Sequence, residues 1–193
     1  MGYDVLNDAQ KSLYRKIKAA AHAFYTGTAA AEGVSYGSDE EKLPCFAIVS
    51  NTDSSLSNED TVKVISMFRN DNPMYFFVGN NYLYSMDYDS ETEENYVGAV
   101  YIACVEEYTS GTARQAERRA LETQITAARE QVEAQDTAWA KARVANDWLC
   151  NSLTYAYDVS GAPDDSMASH SIVGAFDERY CAAVCEGYSK AFQ

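Results

Sequence analysis

The C-terminal stretch reads Ser169-His170-Ser171-Ile172-Val173-Gly174-Ala175-Phe176, then a short spacer, then Ala183-Val184-Cys185-Glu186-Gly187-Tyr188-Ser189-Lys190-Ala191-Phe192. The first block predicts a short helix through Phe176, capped by Ser169. A break at Asp177 to Tyr180 leads to a second helix that opens near Cys185. A cysteine at a helix start has its thiolate stabilised by unbonded backbone N–H groups and by the positive end of the helix dipole. Its sulfur is then nucleophilic near neutral pH, and the same N–H groups can double as an oxyanion hole. Gly187, two residues on, removes a side chain beside the sulfur and leaves room for a backbone-sized substrate. The competing reading of any cysteine is a small buried hydrophobe.

Five cysteines are present, at 45, 104, 150, 181 and 185. The odd count leaves at least one thiol unpaired. Four of them read as buried hydrophobes, with room for one disulfide, and Cys185 as the thiol kept free. Cys181 and Cys185 are four apart, but His22 and His170 are the only histidines. A zinc site is therefore hard to complete, and neither a metal nor a cofactor is expected.

Immediately upstream, Gly161-Ala162-Pro163-Asp164-Asp165 reads as a turn, with Asp164 and Asp165 as turn formers. Before it, residues 112–153 are rich in Ala, Glu, Gln and Arg and strongly helical. Leu121, Ile125, Ala128, Val132, Gln135, Trp139, Ala142, Asn146, Leu149 and Leu153 form a heptad stripe. One helix of about 50 Å would satisfy it at 1.5 Å per residue. Two helices fit better, because Gln135 is polar and Asp136-Thr137 offers a new N-cap. The second would turn Trp139, Ala142, Trp148 and Leu149 inward.

The first half mixes helix and strand. Asn7 or Asp8 caps a helix whose buried face is Leu13, Ile17, Ala20 and Phe24, with His22 off that face and Gly27 ending it. Residues 32–42 read as a loop and Cys45 to Val49 as a buried strand. Ser57 and Asp60 form a capping box for a helix burying Val62, Ile65, Met67 and Phe68. Asn72-Pro73 closes it. Met74–Val78, a Gly79-Asn80-Asn81 turn and Tyr82–Met86 predict a hairpin, and Tyr96–Val105 a last strand. The acids Asp87, Asp89, Glu91, Glu93 and Glu94 lack the spacing of an EF-hand loop and read as a solvated linker.

Composition bounds the function. Of 193 residues 29 are acidic and 15 basic, for a net charge of −14. Such a surface repels nucleic acid and anionic lipid, whose phosphates need clustered Lys and Arg. The apolar fraction of 47% supports a packed core, but no run approaches the roughly 20 residues that span a bilayer. Fifteen tyrosines against seven phenylalanines predict rings buried with wet hydroxyls. Met1 to Val5 has neither the basic nor the apolar region of a signal peptide.

Residues 169–176 and 183–192 together resemble the core signature of the transglutaminase-like superfamily. In its bacterial members a small-residue Gly-Ala-Leu helix and a turn precede Val-Cys-x-Gly-Tyr-Ala-x-Ala-Phe. Residues 138–158 resemble the family's preceding helix, which ends in a Tyr-Asp pair, here Tyr157-Asp158. Asn72 to Val78 more loosely resembles the strand entry before this core in secreted relatives. Ser189 stands where alanine is usual and Phe176 where leucine is usual.

The resemblance implies a papain-like Cys-His-Asp site acting on a protein or peptide. Cys185 would attack an amide carbonyl, and the thioester would pass to an amine or to water. Gly187 and Tyr188 would flank the substrate. The family takes its His and Asp from strands after the nucleophile helix, and the sequence stops eight residues after Cys185. The expectation is a core cut short and inactive by itself, with an apolar helical face that favours self-association. His170 is the one histidine near enough in sequence to be considered as a base. Secreted relatives imply an extracellular or cell-surface location. The reading from a different class is a non-catalytic interaction or structural module. The expected fold is α+β: a helix-plus-antiparallel-sheet region over 1–108, a linking helix over 109–136, and the helical half of a transglutaminase-like core over 137–193.

Overall fold

The computed structural model describes residues 2–36, 41–50 and 56–193. Its helices and antiparallel sheet make the chain α+β. It divides into two compact units, Met1–Gln115 and Ala116–Gln193. No described helix is long and apolar enough to cross a membrane.

In the first unit, α1 (Asp8–Thr26) starts at a reciprocal capping box. Asn7 Oδ1 accepts from Gln10 N at 2.9 Å, and Gln10 Oε1 accepts from Asn7 N at 3.0 Å. Its buried face is Leu13, Tyr14, Ile17, Ala21, Phe24 and Tyr25, so Ala21 takes the place expected for Ala20. His22 is exposed. Two strands follow, β1 (Glu32–Ser35) and β2 (Lys42–Ser50). The first of them lies where a loop was expected. The second helix, α2 (Asn58–Asp71), has the predicted box, Ser57 with Asp60. It buries Thr61, Val64, Ile65 and Phe68 and leaves Val62 exposed.

The hairpin falls in a different place from the one expected. Strand β3 (Val78–Asp89) runs straight through Gly79-Asn80-Asn81 with an irregularity in register, and pairs with β4 (Glu94–Cys104). The turn is made by the acidic residues. Asp89 Oδ1 accepts from Glu91 N at 2.9 Å, and Glu93 takes the left-handed conformation, φ 59°. The sheet order is β1-β2-β4-β3, every pair antiparallel. Aromatic rings fill the core between the sheet and the helices. Phe77 lies 5.0 Å from Phe24 and 5.1 Å from Phe46, with edge-to-face packing. Tyr14 fits the half-buried pattern, its ring buried and its hydroxyl accepting from Asn72 Nδ2 at 2.7 Å. Tyr84, Tyr88 and Tyr157 are instead exposed.

Among the described residues of this unit, one charged side chain is fully buried. Arg114 donates to the carbonyls of Phe24 (2.8 Å), Ala29 (2.7 Å), Tyr108 (3.1 Å) and Gly27 (3.2 Å). Its guanidinium carbon sits 3.4 Å from the centre of the Phe24 ring. A helix C-terminus leaves carbonyls without partners. Arg114, itself fully buried, supplies donors to those at the end of α1 and its exit loop.

Helix α3 (Gly111–Glu133) carries the chain into the second unit, and α4 (Ala138–Ser152) follows from an N-cap at Thr137, whose hydroxyl accepts from Ala140 N at 3.1 Å. The stripe is therefore two helices. Trp139 is 71% exposed and Ala142 is exposed, against expectation, while Leu149 is buried and Trp148 stacks on Phe176 at 5.1 Å. Then come β5 (Thr154–Tyr155), α5 (Ile172–Phe176), β6 (Ala182–Ala183) and α6 (Cys185–Phe192). β5 and β6 pair in parallel. The cap of α5 is Ser171, whose Oγ accepts from Val173 N at 3.2 Å. Ser169 instead turns its hydroxyl to the Asp164 and Ser166 carbonyls.

Candidate functional site

Cys185 is the first residue of α6 and is exposed. Asn7, Ser57, Thr137 and Ser171 cap their helices with a side chain. Val184, the N-cap of α6, has none to offer. The leading N–H groups of a helix lack intrahelical partners, so α6 presents uncapped donors at the end that carries the sulfur. Val184 N donates to Ser169 O at 3.0 Å, and Tyr188 N donates to Val184 O at 3.0 Å. The helix start is thereby fixed to the turn that precedes α5.

Two glycines permit that approach. A Cβ at Gly174 would lie 2.5 Å from Ala182 O and 2.7 Å from Ala168 O. One at Gly187 would overlap the Ser169 carbonyl oxygen and come within 2.9 Å of Ala183 Cβ. Gly187 is buried, so the space left by its missing side chain holds backbone. This corrects the expectation of an opening beside the sulfur: the glycine seats α6. Tyr188 is half-buried. Burial raises its phenol above the ordinary value.

His170 lies in the turn before α5. Its Nδ1 is 2.9 Å from Glu186 Oε2, and Glu186 Oε1 accepts from Lys190 Nζ at 2.6 Å. Lys190 Nζ also donates to His170 O at 3.0 Å. His170, Glu186 and Lys190 thus form a clasp along α6. Among the described residues no hydrogen bond joins His170 to Cys185 Sγ. The i,i+4 spacing of Glu186 and Lys190 was visible in sequence, while the histidine that completes the clasp lies 16 positions away from Glu186. Asp164 remains a turn residue. Ser166, first of all, holds its carboxyl below the ordinary range.

All five cysteines are free, so no disulfide forms. Only Cys45 and Cys104 are buried. Burial pushes their thiols up to about 11 and about 12. Cys150 and Cys181 are exposed, which corrects their reading as core residues. No group of three or more metal-ligating side chains occurs among the described residues. No family model, curated protein or solved structure matches the chain.

Proposed function

We propose that this chain carries the nucleophile end of a transglutaminase-like thiol enzyme, with Cys185 as the nucleophile and a protein or peptide amide as substrate. The observation that carries the reading is the placement of an exposed sulfur on the first residue of an uncapped helix whose start is fixed by Ser169, Gly174 and Gly187. In the reaction, the thiol gives up its proton and the sulfur attacks the carbonyl carbon. The amine leaves with a proton, and the resulting thioester is resolved by water or a second amine. The uncapped N–H groups suit the oxyanion formed on the way.

The second reading is a non-catalytic module. It is favoured by the engagement of His170 with Glu186, since a general base needs hydrogen-bond reach to the proton it takes. Alkylation separates the two readings. Under limiting iodoacetamide at pH 6, an enzyme nucleophile labels first at Cys185. The exposed Cys150 and Cys181 follow, and Cys45 and Cys104 stay unlabelled until denaturant is added. A helix-terminus contribution of about 1 kcal/mol or somewhat more amounts to roughly tenfold in rate over the other exposed thiols. Equal labelling of all three exposed cysteines, mapped by peptide mass, would favour the module.

A further inference from the structure

Glu117 on α3 and Asp177 at the end of α5 have side chains only 7% exposed, and they share one arginine. Arg179 Nε donates to Asp177 Oδ2 at 2.7 Å, and one of its terminal nitrogens bonds both Asp177 and Glu117. The Arg179 backbone N–H donates to Asp177 Oδ1 at 2.8 Å. Two carboxylates against one guanidinium leave a buried negative charge in excess. Glu117 Oε1 is buried and receives no donor. Because both carboxylates accept from the same Arg179 nitrogen, they lie side by side. A proton on Glu117 would give this carboxyl a donor to share with Asp177 and cancel the excess charge.

We propose that Glu117 and Asp177 hold one proton between them, and that its loss loosens residues 177–183 from α3 and with them the start of α6. The segment is a strained one. Cys181 has φ 48°, the left-handed region that favours glycine. It is kept there by Cys181 N donating to Asp177 O at 3.3 Å and by Thr154 N donating to Cys181 O at 3.1 Å. Gln124 Nε2 gives a second tie to α3, donating to Glu178 Oε1 at 2.6 Å. The charged groups that face the pair are Arg179 and, beyond it, the Tyr180 hydroxyl. α5 contributes none, and on α3 Arg118 pairs with Glu122 at 2.7 Å.

Burial, with Asp177 beside it, pushes the Glu117 carboxyl up to about 7. Burial works in the same direction on Asp177, but Arg179 outweighs it and holds that carboxyl below its ordinary value. A carboxyl raised in the folded state contributes stability that is complete below its unfolded value and is lost as pH rises through the folded one. For Glu117 that loss runs from about 4.5 up to about 7. Asp177 has the opposite sign and acts only in the acid range.

Amide hydrogen exchange of the full chain, corrected for intrinsic rates, tests this. Protection of residues 178–183 is expected to fall roughly tenfold or more between pH 5.5 and pH 8.5. Glu117→Gln keeps a donor toward Asp177 without an ionisable group and should flatten the profile, as should Asp177→Asn. Equal wild-type protection at the two pH values would overturn the proposal, even if neither variant folds. A Glu117→Gln profile that falls as steeply as wild type would also overturn it. Neither result depends on whether Cys185 is a nucleophile.

Discussion

Arg114→Met should unfold the first unit at markedly lower denaturant, with a loss of about 4 kcal/mol. This one side chain donates to four backbone carbonyls, those of Phe24, Gly27, Ala29 and Tyr108, and Gly27 O has a second side-chain donor, Gln115 Nε2 at 2.9 Å. Methionine fills much of the volume but donates nothing. Each carbonyl left dry costs about 1–3 kcal/mol, and local rearrangement recovers part of the sum. The lost contact with the Phe24 ring adds to it. Arg114→Lys keeps the charge but not the planar fork, and should recover less than half of the loss. Urea titrations of the three proteins supply the comparison. Wild-type-like stability of the methionine variant would mean that the carbonyls find other donors.

Gly187→Ala should destabilise the second unit, although alanine is intrinsically the better helix former. Propensity alone favours alanine inside a helix by about 1 kcal/mol. Against this, the new Cβ overlaps the Ser169 carbonyl and crowds Ala183. Backbone on one side and a packed methyl on the other leave little freedom to yield. Overpacking against backbone falls in the upper part of a range of about 1–3 kcal/mol, from which the propensity gain is subtracted. A net loss of about 1–2 kcal/mol lowers the midpoint by roughly 10 °C in a unit of this size. Ser189→Ala, at an exposed position of the same helix, is the control and should change little. Thermal unfolding followed by circular dichroism measures both. A stabilised Gly187→Ala protein would show that α6 does not sit against the turn as described.

Local signals carried far in this sequence. The cap at Asn7 or Asp8, the box at Ser57–Asp60, the cap at Asp136-Thr137 and the strand around Phe46 each depend on residues a few positions apart, and the structure has a cap at Asn7, the box, a cap at Thr137 and the strand. Failures came where similar chemistry serves two geometries. Gly79-Asn80-Asn81 looks like a hairpin turn, yet pairing with β4 draws it into a strand. The true turn uses Asp89 and Glu93, in a segment read as a linker. Trp139 and Ala142 fit the heptad spacing, but the break at residues 134–137 resets the helical phase and leaves both outside. β1, with Glu32 and Gly33, lacks the apolar alternation that marks a strand.

At the candidate site, the helix start at Cys185 was legible because cysteine, glycine and tyrosine share one short motif. The role of Gly187 was not, since the carbonyl that fills its space belongs to Ser169 in the earlier block. The Glu117–Arg179 pairing spans 62 positions, and the reach of Arg114 to Phe24 spans 90. Long-range polar contacts of this kind have no periodicity for a sequence reading to find.

The most direct test of Cys185 as a nucleophile is acylation by an activated peptide ester, whose leaving group needs no general acid. The expected result is a single acyl adduct by intact mass, mapped to Cys185 about tenfold over Cys150 and Cys181. It should be released by neutral hydroxylamine and absent in Cys185→Ala. Acylation spread evenly over the three exposed cysteines, or undiminished in Cys185→Ala, would contradict the assignment.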